Sequence, residues 1–251
     1  MPLNRRQFMN TYIDDVTLEE AVGHIESCIA QRKIGQVITP NVDQIVRMEW
    51  DENFRNICDQ CELLLVDGHP LLWIAKAYGV PFKQKICGSD LVPQLCELAA
   101  EKGYRVFFLG AAPGVAQIAA EKMQQTYPGL QVAGTYSPPV GFLDDPQELE
   151  NINNMLLESG ADLLFVGMGV PKQDIFIYEN MAKYQIPMSF SIGGTIDFIA
   201  GVQKRAPKWM RRIGFEWLYR LFSDPKRMFK RYIVDDLKII QLAVKYRQRK
   251  S

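Results

Sequence analysis

Two histidines, five cysteines and no long apolar run set the first limits on this 251-residue chain. A helix that crosses a bilayer needs roughly 18 to 20 consecutive apolar residues. The longest apolar runs here are short pieces such as Leu63-Leu64-Leu65-Val66, so a membrane span is not expected. Asn4-Arg5-Arg6-Gln7-Phe8 carries the paired arginines of an export signal, but Thr11-Tyr12-Ile13-Asp14-Asp15 follows where that signal needs an apolar stretch, and a cytosolic chain is expected. The cysteines are odd in number, and only Cys58 and Cys61 are closely spaced. With no second cysteine pair and no H-x₃₋₅-H, they do not make a zinc motif, and two small buried residues at a helix end are expected. Also missing are G-x-G-x-x-G with its following acidic residue, the G-x-x-x-x-G-K-[ST] phosphate loop and any D-x-D pair. These absences weigh against a dinucleotide-dependent oxidoreductase, an ATPase and a transferase that holds its donor through a carboxylate-bound metal.

No excess of charge marks the whole chain, with 29 basic and 29 acidic residues. The balance hides an asymmetry. Residues 202–251 hold 15 Lys and Arg against four acidic side chains (Glu216, Asp224, Asp235, Asp236), which leaves 14 basic and 25 acidic residues to positions 1–201. The basic segment also carries Trp209, Phe215, Trp217, Phe222 and Phe229. Basic residues mixed with aromatics compose an interfacial helix, whereas a nucleic-acid tail has no need of the aromatics. An anionic membrane surface is the expected partner and nucleic acid is not.

What is present is the composition of a folded protein, 47% hydrophobic and 23% charged, and this excludes disordered, collagenous and coiled-coil classes. Thr17-Leu18-Glu19-Glu20 is a capping box, and Ala21, Val22, Ile25, Cys28 and Ile29 behind it keep a helical period. Val37-Ile38-Thr39 predicts a strand that breaks at Pro40-Asn41, followed by one helix running on to Cys61. Further strands are predicted at 63–66, 105–109, 131–134, 163–166 and 188–192, each followed by a helical pattern. The alternation predicts an α/β fold with a mostly parallel, Rossmann-like sheet flanked by helices over residues 1–201, and a basic amphipathic helical appendage over 202–251.

In such a sheet, ligands bind beyond the carboxyl ends of the strands. Glycine turns there let a backbone approach a ligand closely, and the helix starts behind them favour an anion. Three turns share this form, at Gly110, at Gly169 with Lys172 and Gln173, and at Gly193-Gly194 with Asp197, and together they point to a nucleotide. Asp67 ends a buried strand beside Gly68. It is placed either to act as a general base or to cap the helix that starts near Pro70. Thr39 and Asn41 are suited to sugar hydroxyls or a reacting group, with capping of the next helix as the alternative. His69 is given no role.

Thr39-Pro40-Asn41, Val66-Asp67-Gly68, Gly88-x-Asp90-Leu91, Gly169-Val170-Pro171-Lys172-Gln173, Gly193-Gly194-Thr195-Ile196-Asp197, Lys204-Arg205-Ala206-Pro207 and Glu216-Trp217-Leu218-Tyr219-Arg220 occur in that order. Together they resemble the WecG/TagA/CpsF glycosyltransferases, over residues 10 to 235. The resemblance implies an inverting, metal-independent enzyme without a cofactor. It moves a sugar from a UDP-sugar donor to a saccharide carried on undecaprenyl diphosphate, in teichoic acid, common antigen or exopolysaccharide synthesis. N-acetylmannosamine, its uronic acid, glucose and related hexoses are all transferred within the family. By position, Asp67 matches the catalytic base, Thr39 and Asn41 line the pocket, Gln173 contacts substrate and Asp197 lies by the nucleotide. The basic appendage is implied to reach the cytoplasmic face of the membrane as a peripheral anchor, and Arg211, Arg212, Arg220 and Arg231 are suited to the acceptor diphosphate. Lys85 stands where many members have arginine, a point charge in place of a bidentate fork. Asp174-Ile175-Phe176 stands where Glu-x-Trp is usual.

Overall fold

The computed structural model describes residues 4–212, 214–223, 225 and 237–248. A six-stranded, wholly parallel sheet forms its centre, in the spatial order β4-β3-β8-β7-β5-β6. The strands are β3 (Gly35–Ile38), β4 (Leu63–Leu64), β5 (Arg105–Gly110), β6 (Gln131–Tyr136), β7 (Leu163–Gly167) and β8 (Met188–Ser191). The alternation of strand and helix read from the sequence is therefore the observed architecture.

Successive strand residues enter opposite layers. Val106, Phe108, Leu163, Phe165, Met188 and Phe190 face the layer formed by α1 (Leu18–Ala30), α5 (Gly88–Lys102), α6 (Val115–Thr126) and α9 (Thr195–Ala200). Phe107, Leu109, Leu164 and Val166 face α7 (Pro146–Ser159) and α8 (Lys172–Tyr184). Ile38 and Leu64 pack on the same side against α2 (Val42–Trp50), α3 (Glu52–Asp59) and α4 (His69–Ala77). Burial on both faces explains why the central strands β5 and β7 carry continuous apolar runs, over residues 106–109 and 163–166. Across three neighbouring strands Phe108, Phe165 and Phe190 stand in a ladder with ring centroids 5.3 Å apart at each step. Such pairs contribute about 0.5–1.5 kcal/mol each beyond their area burial.

Two local features differ from the sequence reading. The helix expected from Val42 to Cys61 is two helices, because Asp51 leaves helical conformation and its side chain accepts from the Phe54 backbone to start α3. An unpredicted hairpin, β1 (Arg5–Phe8) with β2 (Thr11–Asp14), precedes the core. Buried Asp14 accepts two bonds from Arg5, at 2.9 and 2.8 Å, and one from the Leu64 backbone N–H at 2.8 Å. One carboxylate thus ties the hairpin to the outer strand of the sheet.

Residues beyond 201 provide α10 (Lys208–Arg212), α11 (Glu216–Ser223) and α12 (Lys238–Gln248). Ile239 and Leu242 of α12 are buried in the same cluster as α2 and α4. The Tyr78 hydroxyl donates to the Ala243 carbonyl at 2.6 Å, the Tyr246 hydroxyl donates to Glu49 at 2.9 Å, and Lys245 pairs with the same carboxylate. None of the described helices is long and apolar enough to cross a membrane.

Asp174, on α8, has no solvent exposure, and neither carboxyl oxygen reaches a hydrogen-bond partner among the described residues. Burial pushes its pKa up to about 7, with the Ser191 hydroxyl and the Arg47 charge opposing the shift from nearby. A carboxyl raised in the folded state binds more protons there than in the unfolded chain. It therefore costs stability increasingly as pH rises from the ordinary carboxylate range through about 7. Asp174→Asn should gain melting temperature relative to wild type as pH goes from 5 to 8, measured by thermal unfolding across that range. A gap that is flat with pH would contradict the burial cost.

Candidate active site

The carboxyl ends of β4, β3, β8 and β7 lie side by side and open onto one cleft of about 870 Å³. Each end contributes a short polar turn. Thr39 and Asn41 follow β3, Asp67 follows β4, Gly169 and Gln173 follow β7, and Gly193, Gly194 and Asp197 follow β8; all eight line the cleft. The turns are also tied to one another. The Asp67 N–H donates to the Pro40 carbonyl at 2.9 Å, and the Gly193 N–H donates to the Gln173 side-chain oxygen at 3.1 Å. With Gln173 only 2% exposed, that bond fixes the β7 and β8 turns as a unit.

The structure places both Asn41 and Asp67 on the wall of this cleft. Asn41 does cap α2, since its side chain accepts from the Gln44 N–H at 3.4 Å and Gln44 returns a bond to the Asn41 N–H at 3.2 Å. It lines the cleft while doing so. The N-cap of α4 is Gly68, at φ +113°, which has no side chain with which to cap the helix. Asp67, just before it, lines the cleft with its side chain 29% exposed and the Lys85 ammonium 4.0 Å away.

Lys85 belongs to a charged cluster at the start of α5. Asp90 lies at its centre, 3.4 Å from Lys85, 2.8 Å from Arg205 and 4.0 Å from Arg211, with the Cys87 thiol donating to it at 3.0 Å. Arg205 also donates to the Ser89 carbonyl and lies 3.9 Å from Glu216. Burial works against the Lys85 charge, but Cys87, Asp67, Asp90 and Glu216 around it hold its pKa above the ordinary lysine value. Burial likewise opposes ionisation of Asp90, yet the Cys87 hydrogen bond and the Lys85 and Arg205 charges hold it below the ordinary carboxylate value. Burial first, then Asp67, pushes the Cys87 thiol up to about 12, so this cysteine stays protonated as a donor. At the other side of Lys85, burial and the lysine charge lower the pKa of His69. Its ring packs under Gly214, where a Cβ would come within 2.9 Å of the histidine.

Not every residue singled out from sequence reaches the cleft. Gly110 is outside its lining. A Cβ at that position, φ +117°, would stand 2.4 Å from the Gly167 carbonyl oxygen, so close approach of β5 to β7 accounts for the glycine. Lys172 is exposed at the start of α8 and also outside the lining. Of the four appendage arginines, Arg211 joins the Asp90 cluster; the side chains of Arg212 and Arg220, and Arg231 altogether, lie outside the described residues. Conversely, sequence reasoning did not assign Asp90, Cys87, Arg205, Glu216 or Tyr219 to the site. Glu216 and Tyr219 line the cleft from α11, so a segment grouped with the basic tail supplies a wall of the site. The signal was available in Gly88-x-Asp90, Lys204-Arg205 and the Glu216 to Arg220 stretch, whose polar residues interrupt otherwise apolar or basic surroundings.

A partly exposed carboxylate beside a half-buried ammonium can take a proton from a hydroxyl placed in the cleft. Lys85, Arg205 and Arg211 provide positive charge within reach of one acid, a setting in which phosphate oxygens are favoured. Glycine turns at Gly169 and Gly193, both at positive φ, leave backbone open to the cavity.

The family model for glycosyl transferases of the WecG/TagA/CpsF family matches residues 6–251. A relative from Bacillus spizizenii (strain ATCC 23059 / NRRL B-14472 / W23) is 30% identical over 227 residues, covering 90% of this chain and 84% of the relative. Relatives from Bacillus subtilis (strain 168) and Staphylococcus aureus (strain MW2) are 28% and 26% identical, covering 84% and 86% of this chain and 80% and 83% of their own lengths. All three are named N-acetylglucosaminyldiphosphoundecaprenol N-acetyl-beta-D-mannosaminyltransferase. The strand-end cleft, the order of the polar turns around it and a match over nearly all of the sequence agree, and the chain belongs to the WecG/TagA/CpsF family of glycosyltransferases.

Proposed function

We propose that this glycosyltransferase moves an N-acetylmannosaminyl group from a UDP-sugar to an N-acetylglucosaminyl unit on undecaprenyl diphosphate, with inversion at the transferred sugar and without a divalent metal. The observation that carries the reading is Asp67, a partly exposed carboxylate after β4 that lines a large cleft beside the Lys85 ammonium. The relatives' names supply the donor sugar and the acceptor.

Asp67 takes the proton of the acceptor hydroxyl as its oxygen attacks the anomeric carbon. The bond from that carbon to the diphosphate oxygen breaks, and UDP leaves with the electron pair. Thr39 and Asn41 position the sugar and acceptor. Gly169, Gly193, Gly194 and Asp197 hold the nucleotide, with Gln173 keeping the two turns in register. Lys85, Arg205 and Arg211 offset negative charge on a diphosphate, the work that a metal performs in enzymes with D-x-D. The helices beyond 201 bring this site to the cytoplasmic face of an anionic membrane. In support, Trp209 and Phe222 are 62% and 76% exposed on helices adjoining the cleft wall. Each nearby Lys or Arg adds about 1 kcal/mol at an anionic surface.

General-base catalysis is worth about 10²- to 10⁴-fold, so Asp67→Asn should lose that much kcat and keep its affinity for UDP. Turnover of a short-chain lipid-diphosphate acceptor, followed by UDP release, measures the first and calorimetric titration the second; near-normal turnover would refute the assignment. UDP titrations with EDTA and with Mg²⁺ should give the same Kd, and strict dependence on the cation would contradict metal independence. Trp209→Glu combined with Phe222→Glu should abolish sedimentation with anionic liposomes and leave turnover of a detergent-soluble acceptor intact. Unchanged sedimentation would remove these helices from membrane binding.

A further inference from the structure

The opposite ends of the same strands hold a second cluster, built from different chemistry. His24 and Cys28 are four residues apart on α1 and share one helix face. Glu62 lies just before β4, held there by a bond from its N–H to the Gln36 carbonyl at 2.8 Å. The His24 Nε2 atom is 2.7 Å from Glu62 Oε1, and Cys28 Sγ is 3.5 Å from the histidine nitrogen and 3.6 Å from the same carboxylate oxygen. Lys33 holds the other Glu62 oxygen at 2.7 Å. The Glu62 stem lies across Gly35, where a Cβ would come within 2.9 Å of the glutamate Cβ, so glycine at the start of β3 makes room for the approach.

These distances match a tetrahedral metal. With Zn–S about 2.3 Å and Zn–N and Zn–O about 2.0–2.1 Å, the edges of a tetrahedron are about 3.5 Å from sulfur to nitrogen or oxygen and about 3.4 Å from nitrogen to oxygen. Both sulfur edges are already at that length. Only the His24–Glu62 edge must open, by roughly 0.7 Å by the same geometry, and rotation of the glutamate side chain supplies that. One imidazole, one thiolate and one carboxylate are a zinc donor set, too soft for Mg²⁺ or Ca²⁺. The cluster also keeps a way in, since the His24 and Glu62 side chains are 20% and 13% exposed.

We propose that His24, Cys28 and Glu62 bind one Zn²⁺, with a water in the fourth position, and that the ion clamps α1 to the β3–β4 edge of the sheet. On binding, the Cys28 thiol gives its proton to solvent and His24 coordinates through the Nε2 lone pair of the neutral ring. Lys33 stays on the outer Glu62 oxygen and orients it. The clamp is structural. It anchors the start of a strand only two residues long, Leu63–Leu64, whose other end leads to Asp67. It stands apart from the proposed transfer chemistry, and each reading can fail without the other.

Full-length protein stripped of metal and titrated with Co²⁺ tests this. One equivalent should bind with thiolate-to-cobalt charge transfer in the near ultraviolet and the intense visible bands of tetrahedral cobalt, and Zn²⁺ should displace it and raise Tm. Cys28→Ser should lose the charge-transfer band. His24→Gln, a change at a partly exposed helix position, should keep the fold by circular dichroism and bind Zn²⁺ more weakly, by on the order of 100-fold, since lesser outer-shell changes already cost about 10- to 100-fold. Cys96→Ala, in the same layer but outside the cluster, should behave as wild type. Absence of the band in the wild-type protein would show an ordinary His–Glu–Lys salt-bridge network and overturn the proposal. Persistence of the band in Cys28→Ser would overturn the ligand assignment.

Discussion

Burial of both faces of the parallel sheet is the constraint from which the rest of the structure follows. Strands that carry Phe107 and Leu109 to one layer and Val106 and Phe108 to the other have no solvated face on which polar chemistry could stand. Functional groups are confined to the two rims. At the carboxyl rim the chain leaves each strand through a turn before entering a helix, and the unpaired N–H groups and glycines of those turns make that rim receptive to anions. The chain order sharpens the effect. β3 and β4 are laid down early, β7 and β8 late, and the insertion of β8 beside β3 brings turns from residues 39–41 and 193–197 against one another. The cleft forms where early and late halves of the chain meet.

A second dependence is electrostatic. Asp90 has three cations around it, and two of them, Arg205 and Arg211, come from beyond the last strand. The acid joins the core to the basic segment and holds cations close together that would otherwise repel one another. Half-buried Glu49, bonded to Asn10, Lys245 and Tyr246, likewise joins α12 to the core. Charge asymmetry along the sequence is thus partly spent inside the molecule, and the positive segment is docked by individual carboxylates as well as by apolar contacts at Ile239 and Leu242.

The sheet, its strand ends and most of the cleft were legible in the sequence, because a buried parallel strand followed by a glycine turn has few other ways to fold. Asp67, Thr39, Asn41, Gln173 and the Gly193 turn all follow strands in the sequence reading, and all of them line the cleft. Gly110 followed the same grammar for another cause, backbone contact with Gly167, and one sequence does not distinguish a glycine that admits a ligand from one that admits a neighbouring strand. The β1–β2 hairpin was missed because four-residue strands with outward arginines show too little alternation, and its stability rests on Asp14 reaching across to Leu64, fifty residues on. Within the 202–251 appendage, the packing of α12 on the core was not legible, since a periodic apolar face fits a bilayer surface and a protein surface equally well. The His24–Cys28 pair was visible as an i, i+4 spacing, but its third member, Glu62, comes 34 residues after Cys28 and meets it only once the sheet edge has formed.

Two carboxylates near the cleft rim show how environment divides their roles. Asp67 keeps nearly a third of its side chain exposed to the cleft and has Lys85 at 4.0 Å, so negative charge there is both hydrated and compensated. Asp174, one residue beyond Gln173, is sealed beneath the rim, and its carboxyl is pushed up to about 7 by burial. A base that must take a proton from an acceptor hydroxyl and then release it needs the first environment. The second favours the neutral acid and suits a group that packs α8 against β3 and β8, where Gln36 donates both to the Asp174 carbonyl and to the Ser191 hydroxyl. Moving the exposed carboxylate inward would take it out of the cleft, and moving the buried one outward would free the start of α8, and with it Gln173 and its bond to the Gly193 turn. The two placements are therefore linked, because the helix that seals one acid is the helix that presents the residue bridging the β7 and β8 turns of the cleft that the other acid lines.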